Sequence, residues 1–282
     1  MSSILTNSSA MVALQTLKSV NTSLAKTQEA ISTGKSIGSA KDNSAIWAIS
    51  KTMDSDVRGF KAISDALSLG ESTVAVASAA AEQVVSVLQD IKGLVVSAQS
   101  ENVDHAKIQA DIDERAAQVA SIIGAAQFNG ANLLAADVDG NGATSMSILS
   151  SLDRVGAAAP TASTIDVDTA DFETDVDLVA DLTAITDTTT AATALGEIET
   201  FLQTAIDGAA ALGASVGRIS SQNEFVGKLT DAMVSGIGTL VDADMEEASA
   251  RLQALQVQQQ LATQSLSIAN QGPQNILSLF RG

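Results

Sequence analysis

The sequence has no cysteine and no tyrosine, and its 282 residues include only two prolines, one tryptophan and one histidine. Without cysteine, neither disulfides nor thiol chemistry can contribute to the fold or to an activity. Aromatic residues make up 2% of the chain, whereas alanine, serine, threonine, valine and leucine dominate. Small side chains of this kind favour closely packed helices over a thick globular core.

Positive charge is also scarce, because 15 lysines and arginines stand against 33 acidic residues, which gives a formal net charge of −18. A chain of this charge repels nucleic acid and anionic membranes, so we expect its partners to be proteins or further copies of itself. No apolar run reaches the roughly 18 residues of a membrane helix, and the first residues lack the basic and apolar parts of a signal peptide. We therefore expect neither membrane insertion nor export by a cleaved signal peptide.

Both ends of the sequence carry a heptad pattern, in which the residues of one helix face recur at alternating spacings of three and four. The N-terminal pattern comprises Ala10, Leu14, Leu17, Asn21, Leu24, Gln28 and Ile31, and the C-terminal pattern comprises Met245, Ala248, Leu252, Leu255, Gln259, Ala262, Leu266 and Ala269. Each pattern is too narrow to make a core alone. We therefore predict terminal coiled-coil segments that pair with each other or with other copies.

Between these ends, the periodicity predicts three long helices, over about 44–97, 104–127 and 188–239, the first two forming an antiparallel hairpin. Gly34 and Gly38 mark a non-helical connector after the N-terminal pattern. The predicted fold class is mainly α, an elongated helical bundle with N- and C-terminal coiled-coil segments and a small irregular or β outer insert. The expected boundaries are 1–43 (N-terminal coiled coil and connector), 44–136 and 188–240 (bundle core), 137–187 (insert) and 241–282 (C-terminal coiled coil).

The insert differs from the rest of the chain in composition, with eleven acidic residues against the single base Arg154. It is rich in threonine, serine and glycine, and short strands are predicted at about 146–149 and 164–168, where apolar and polar residues alternate. We interpret it as a separate, exposed acidic unit. On this interpretation, the helical bundle keeps its contacts when the insert is deleted.

Three short patterns could indicate chemistry, and none is complete. Thr33-Gly-Lys-Ser36 resembles the end of a phosphate-binding loop, but Glu29 replaces that loop's first glycine. Asp137-Val-Asp-Gly-Asn-Gly142 matches half of a calcium loop and lacks the final bidentate glutamate, so a tight turn is favoured. His105 follows Asp104, but such proximity defines no catalytic triad, and a surface histidine near a helix start is favoured. We therefore predict no enzymatic activity, no metal and no cofactor.

Three motifs, in order along the chain, resemble those of bacterial flagellins. Ile31-Ser-Thr-Gly-Lys-Ser-Ile-Gly-Ser-Ala-Lys-Asp-Asn43 resembles the family's Leu-Ser-Ser-Gly-x-x-Ile-Asn-Ser-Ala-x-Asp-Asp-Ala. Ala126-Gln-Phe-Asn-Gly130 resembles its Gln-Phe-Asn-Gly signature, and Ile268-Ala-Asn-Gln-Gly-Pro-Gln-Asn-Ile-Leu-Ser-Leu279 resembles its C-terminus. The resemblance covers about 1–135 and 190–282, and three ordered motifs are far more specific than one.

The resemblance implies a structural protein that polymerises into the flagellar filament for swimming. In that family the terminal segments form an inner coiled-coil tube, which here would use Leu14, Leu17, Leu24, Ile31, Met245, Leu252, Leu255 and Leu266. The resemblance also implies an extracellular location, export through the flagellar type III apparatus with a chaperone, and contact with filament cap and hook-junction proteins. A hook-filament junction protein of the same export family is the alternative, and a secreted helical adhesin or effector is the rival from another class.

One departure from the family concerns recognition by receptors. The receptor-stimulating flagellins carry a segment similar to Gln-Arg-Val-Arg-Glu-Leu-Ala-Val-Gln, where this chain has Asp90 in place of the first arginine and Gly93 in place of the glutamate. An acid in place of an arginine loses a charge-assisted contact and adds repulsion. We therefore predict weak signalling through flagellin-sensing Toll-like receptors.

Overall fold

The computed structural model describes residues 7–154 and 159–279. Residues 1–6 and 280–282, which belong to the predicted terminal coiled-coil segments, lie outside the described residues, as do 155–158 of the insert. The elements in chain order are α1 Ser8–Thr33, α2 Ser44–Ser97, α3 His105–Ala125, β1 Gln127–Phe128, β2 Ala131–Asn132, β3 Ser145–Asp153, β4 Thr161–Asp168, α4 Phe172–Asp175, α5 Thr188–Val241 and α6 Met245–Leu279. The prediction of a mainly α fold is confirmed.

The helices begin where a side chain can accept hydrogen bonds from the first backbone amides. Asn43 Oδ1 accepts from the backbone N–H groups of Ala45 and Ile46, each at 3.2 Å, before α2. Asp187 Oδ1 accepts from the backbone N–H of Thr190 at 2.8 Å before α5. The three long helices predicted between the ends are α2, α3 and α5, and their observed bounds agree with the prediction to within about two residues.

The chain divides into two compact units. The first contains the described residues up to Ser55 and those from Ala232 onward, so it combines both ends of the chain. The second runs from Asp56 to Asp231 and includes the whole described part of the acidic insert. The insert is therefore not a unit of its own.

The core of the second unit follows one apolar face of α2. Its buried residues on α2 include Ile63, Leu67, Val74, Ala77, Ala81, Val84, Leu88, Ile91 and Val95, and α3 adds Ile112, Ala116, Val119 and Ile123. On α5 the apolar residues Ile206 and Phe225 are 40% and 57% exposed. The buried face of α5 instead passes through Ala205, Leu212, Ile219 and Val226.

Among the described helices, α2 alone is long and apolar enough to cross a membrane, a test that core helices of soluble proteins also pass.

The predicted antiparallel pairing of α2 with α3 is confirmed by contacts at two positions along the helices. Arg115 Nη1 donates to Asp90 Oδ2 at 2.7 Å, and His105 Nε2 lies 2.8 Å from the carbonyl oxygen of Ala98. His105 thus lies at the start of α3, against the end of α2, and its ring contacts the backbone.

The two predicted strands of the insert are β3 and β4, which form an antiparallel hairpin. Ile148 pairs with Ile165 and Met146 with Val167, and Ser150 is left unpaired at a bulge. Ile148, Ile165 and Val167 are buried, whereas Asp166 and Asp168 between and beyond them are exposed. Because successive strand residues face opposite sides, the hairpin has one apolar and one acidic face.

The apolar face of the insert packs into gaps left by helix glycines. A Cβ atom added at Gly59 would lie 2.5 Å from Leu152 Cδ1, and one added at Gly208 would lie 2.5 Å from Phe172 Cε1. Phe172 is fully buried. The expectation of a separate exposed unit is therefore wrong for this face, because the apolar side chains of the insert complete the core of the second unit.

Candidate assembly interface

In the first unit, α1 and α6 pack against each other in antiparallel directions. Near one end of the pair, Asn7 Nδ2 donates to the carbonyl oxygen of Ala269 at 2.8 Å. Further along, Gln259 Nε2 donates to Asn21 Oδ1 at 2.7 Å. These side-chain bonds fix the register of the two helices. Of the two arrangements predicted for the ends, the structure shows pairing within one chain.

The α6 side of this contact is the predicted heptad face. Its partly or fully buried residues are Ala248, Leu252, Leu255, Gln259, Ala262, Leu266 and Ala269. Leu255 is only 9% exposed. Met245, the first residue of the predicted pattern, is 44% exposed, so this contact does not bury it.

The α1 side agrees with the prediction at every second position. Its partly or fully buried residues are Ala10, Ala13, Leu17, Val20, Ser23, Leu24, Thr27, Ala30 and Ile31. Of the predicted leucines and isoleucine, Leu14 is the exception, at 57% exposed. From Ala10, a heptad face can continue through Ala13, Leu17 and Val20 or through Leu14, Leu17 and Asn21. The structure uses the first series, so Val20 is partly buried and Asn21 is exposed. An apolar side chain costs less to bury than an amide, which explains the choice.

Backbone hydrogen bonds join the connector between α1 and α2 to the short segment where α5 ends and α6 begins. The N–H of Ser36 donates to the carbonyl oxygen of Val241 at 2.8 Å, and the N–H of Ala243 donates to that of Gly34 at 2.9 Å. Gly34 ends α1 with φ 70°, a conformation that glycine adopts without strain. The Thr33–Ser36 pattern thus lies in this connector.

A short turn at Ser39–Asp42 in the connector is linked to α1 by an ion pair. Asp42 Oδ2 accepts from the backbone N–H and from the hydroxyl of Ser39, each at 3.0 Å. Lys26 Nζ lies 3.6 Å from Asp42 Oδ1. The backbone and hydroxyl hydrogen bonds from Ser39, followed by the charge of Lys26, hold the pKa of Asp42 below its ordinary value.

Apolar side chains also cover the outward sides of α1 and α6. The largest exposed ones are Met11, Val12 and Leu14 on α1 and Val257, Leu261 and Ile268 on α6, with exposed fractions of 56–69%. Val12, Leu261 and Ile268 line a groove between the two helices. No charged residue occurs in 1–17 or in 252–280. Exposed apolar side chains on a surface without charge are typical of a protein–protein interface.

In the second unit, the positions predicted to affect receptor recognition lie on the exposed side of α2. Asp90 is held by Arg115 of α3, as described above. A Cβ atom at Gly93 would have nothing within 4 Å. Both positions are therefore accessible, and their effect on recognition stays a prediction.

Neither unit shows an arrangement suited to metal chemistry among the described residues, where no group of three or more His, Asp or Glu side chains could hold an ion. Asp137 and Asp139 accept hydrogen bonds from the backbone N–H groups of Gly140 and Asn141. This segment is thus a tight turn, as favoured from its sequence.

The fold and the exposed apolar residues define a class of protein, namely a helical protein whose paired ends present a surface suited to protein–protein contact. Models of the bacterial flagellin N-terminal and C-terminal helical regions match residues 4–139 and 195–280. The chain belongs to the flagellin family. That family is structural, so the chain is not an enzyme.

Individual relatives agree with this assignment over the full length. The chain is 44% identical over 288 residues to a flagellin of Brucella melitensis, covering 100% of both sequences. It is 40% identical over 287 residues to flagellin FljM of Caulobacter vibrioides, covering 100% of this chain and 99% of the relative. A putative flagellar hook-associated protein from Vibrio parahaemolyticus shares the fold, with a TM-score of 0.51 at 10% identity over 71% of this chain and 100% of that one.

Proposed function

We propose that this chain is the subunit of a bacterial flagellar filament and that it polymerises through the α1–α6 pair. The observation that carries the proposal is the uncharged apolar surface on the outward sides of both helices. In a monomer this surface contacts water, which is unfavourable by roughly 25 cal/mol for each Å² of apolar area. Assembly with further copies removes it from water.

The predicted coiled-coil residues divide into two roles in this proposal. Leu17, Leu24 and Ile31 of α1 face α6 and hold the pair together, as do Leu252, Leu255 and Leu266 of α6. Leu14 and Met245 are exposed, so they are available to neighbouring subunits. An interface formed by different faces of the same unit extends into an open helical polymer when its rotation does not close a ring.

A filament subunit is favoured over the hook-filament junction protein. Relatives that match the whole chain at 40% identity or more include flagellins of Brucella melitensis and Caulobacter vibrioides. The similarity to a hook-associated protein is at 10% identity and concerns the fold alone.

The family also supports an extracellular location in the filament and a function in swimming. Export through the flagellar type III apparatus with a chaperone, and contact with filament cap and hook-junction proteins, belong to the same proposal. Terminal helices whose apolar faces are covered only on assembly suit a subunit that stays unassembled until it reaches the filament tip.

Electron microscopy of purified protein after salting out tests the proposal. The full-length chain should form long filaments, and a chain lacking residues 243–282 should stay monomeric and fail to extend full-length seeds. Circular dichroism should show that the truncated chain keeps most of its helix, since the second unit has its own core. Soluble monomers of the full-length protein under all salting-out conditions would contradict the proposal.

A further inference from the structure

The chain contains two Asn-Gly pairs, and the fold constrains them differently. Asn129 and Gly130, with φ values of 52° and 86°, form the two-residue turn between β1 and β2. The ladder pair Phe128↔Ala131 closes this turn directly on both sides. A two-residue hairpin turn of this kind leaves little freedom for the backbone of its asparagine.

Asn141 and Gly142 lie in a longer loop. This loop is closed by the hydrogen bond from the N–H of Val138 to the carbonyl oxygen of Ala143, at 2.7 Å, which leaves four residues between its ends. Asn141 and Gly142 are both exposed. Gly142 has φ 90°. The four residues belong to no strand, so a change in their backbone angles breaks no ladder pair, unlike a change at Asn129.

Asn141 is bonded to Asp139 through its backbone as well as its side chain, since its N–H donates to Asp139 Oδ1 at 3.0 Å. Its Nδ2 donates to the carbonyl oxygen of Asp139 at 3.2 Å, a single bond that must break before Cγ can approach the next residue. The backbone N–H of Gly142 has no hydrogen-bond partner among the described residues. A glycine at this position also presents no side chain that would crowd an approach to its nitrogen.

We propose that Asn141 is a site of spontaneous deamidation and that the fold selects it over Asn129. The backbone nitrogen of Gly142 loses its proton to water and attacks Cγ of Asn141. A carbon–nitrogen bond forms, the bond from Cγ to Nδ2 breaks, and ammonia leaves with the proton it needs from water. The product is a five-membered succinimide, and water then opens it at either carbonyl to give aspartate or isoaspartate.

The reaction involves no oxidation or reduction, and its only co-reactant is water. Each conversion adds one carboxylate to an insert that already has eleven acidic residues and a single base. The isoaspartate product also lengthens the main chain by one carbon beside Val138, which is 7% exposed and accepts a hydrogen bond from the N–H of Asn132 at 2.9 Å. The added carbon lies within the loop that the bond between Val138 and Ala143 closes, so we expect isoaspartate to weaken that closure.

Incubation of the full-length folded protein near neutral pH, followed by mass spectrometry with fragmentation, measures the conversion at each asparagine. Asn141 should convert several-fold faster than Asn129, and the difference should disappear in denaturant, where both Asn-Gly pairs are unstructured. Enzymatic methyl transfer from S-adenosylmethionine should detect isoaspartate in the aged protein.

The matched variants are Asn141→Gln and Asn129→Gln, which keep an amide but lengthen the side chain so that the five-membered ring cannot form. The first should remove most of the isoaspartate, and the second should leave it unchanged. Equal rates at the two sites in the folded protein would overturn the proposal. A preference for Asn141 that persisted in denaturant would also overturn it, because the fold would not be its cause.

Discussion

Ile148 of β3 occupies the space beside Gly70 of α2, where a Cβ atom would lie only 2.5 Å from Ile148 Cδ1. Glycine inside a helix is less stable than alanine by roughly 0.5–1 kcal/mol, because its unfolded backbone is freer. Here the absence of a side chain at Gly70 lets β3 approach α2 closely. Ile148 is only 5% exposed as a result.

The first prediction concerns this contact. Gly70→Ala should destabilise the protein by about 1–3 kcal/mol, because the added methyl group overpacks the site. Gly93→Ala, in the same helix, meets nothing within 4 Å and should stabilise the protein by up to about 1 kcal/mol. Chemical denaturation measures both changes. In a double-mutant cycle, Ile148→Ala should relieve part of the cost of Gly70→Ala, and strict additivity would contradict the contact.

A second prediction compares two phenylalanines of the second unit. Phe172 is fully buried against Gly208, so Phe172→Ala should cost about 3–5 kcal/mol of unfolding free energy. Phe225 is 57% exposed, and Phe225→Ala should change stability by less than about 1 kcal/mol. Thermal unfolding of the two variants checks the order. Similar losses would show that the insert does not contribute to the core as described.

The long helices were predictable from the sequence because their signals are local and repeated. The apolar face of α2 recurs over many turns, and Asn43 and Asp187 mark helix starts. The burial of the insert was not predictable, because Gly70 and Ile148 are distant in sequence and neither carries a local signal for the other. The choice between Leu14 and Ala13 in the α1 contact also depended on α6, since both residues suit a helix.

The third prediction concerns the stability of the fold at low pH. The backbone N–H of Thr190 is the main cause that holds the pKa of Asp187 below its ordinary value of 3.8. A folded-state pKa below the unfolded one stabilises the fold above pH 3.8, and this contribution is lost as the pH falls through the folded-state pKa. Asp187→Asn should therefore lose less stability than the wild type between about pH 5 and about pH 2. Chemical denaturation at a series of pH values measures this, and an Asp187→Asn profile identical to that of the wild type would contradict the prediction.

The fourth prediction concerns Asp90, whose carboxylate accepts from Arg115 Nη1 at 2.7 Å. Signalling through a flagellin-sensing Toll-like receptor should be weak in a reporter-cell assay compared with an arginine-bearing flagellin. The exchanged pair Asp90→Arg with Arg115→Glu keeps opposite charges on α2 and α3, so it should fold normally and signal more strongly. A full response to the unaltered chain would contradict the prediction.

The last prediction separates the two faces of α6. Leu255 is 9% exposed and packs towards α1, so Leu255→Asp places an unpaired carboxylate in the helix contact, which costs several kcal/mol or separates the pair. Leu261 is 58% exposed, so Leu261→Asp should leave the monomer intact and act only on assembly. The exposed Gln256 provides a control, because Gln256→Asp adds the same charge at a polar position that is neither buried in the α1 contact nor one of the exposed apolar residues.

Both leucine variants should abolish filaments, because every subunit of a homopolymer carries the defect and its cost recurs at each contact. They should differ in the monomer, where circular dichroism and thermal unfolding detect the loss of the α1–α6 pair in Leu255→Asp only. Gln256→Asp should form normal filaments by electron microscopy. If Leu261→Asp also formed normal filaments, the outward face of α6 would not contact a neighbouring subunit, and the proposed assembly surface would be wrong.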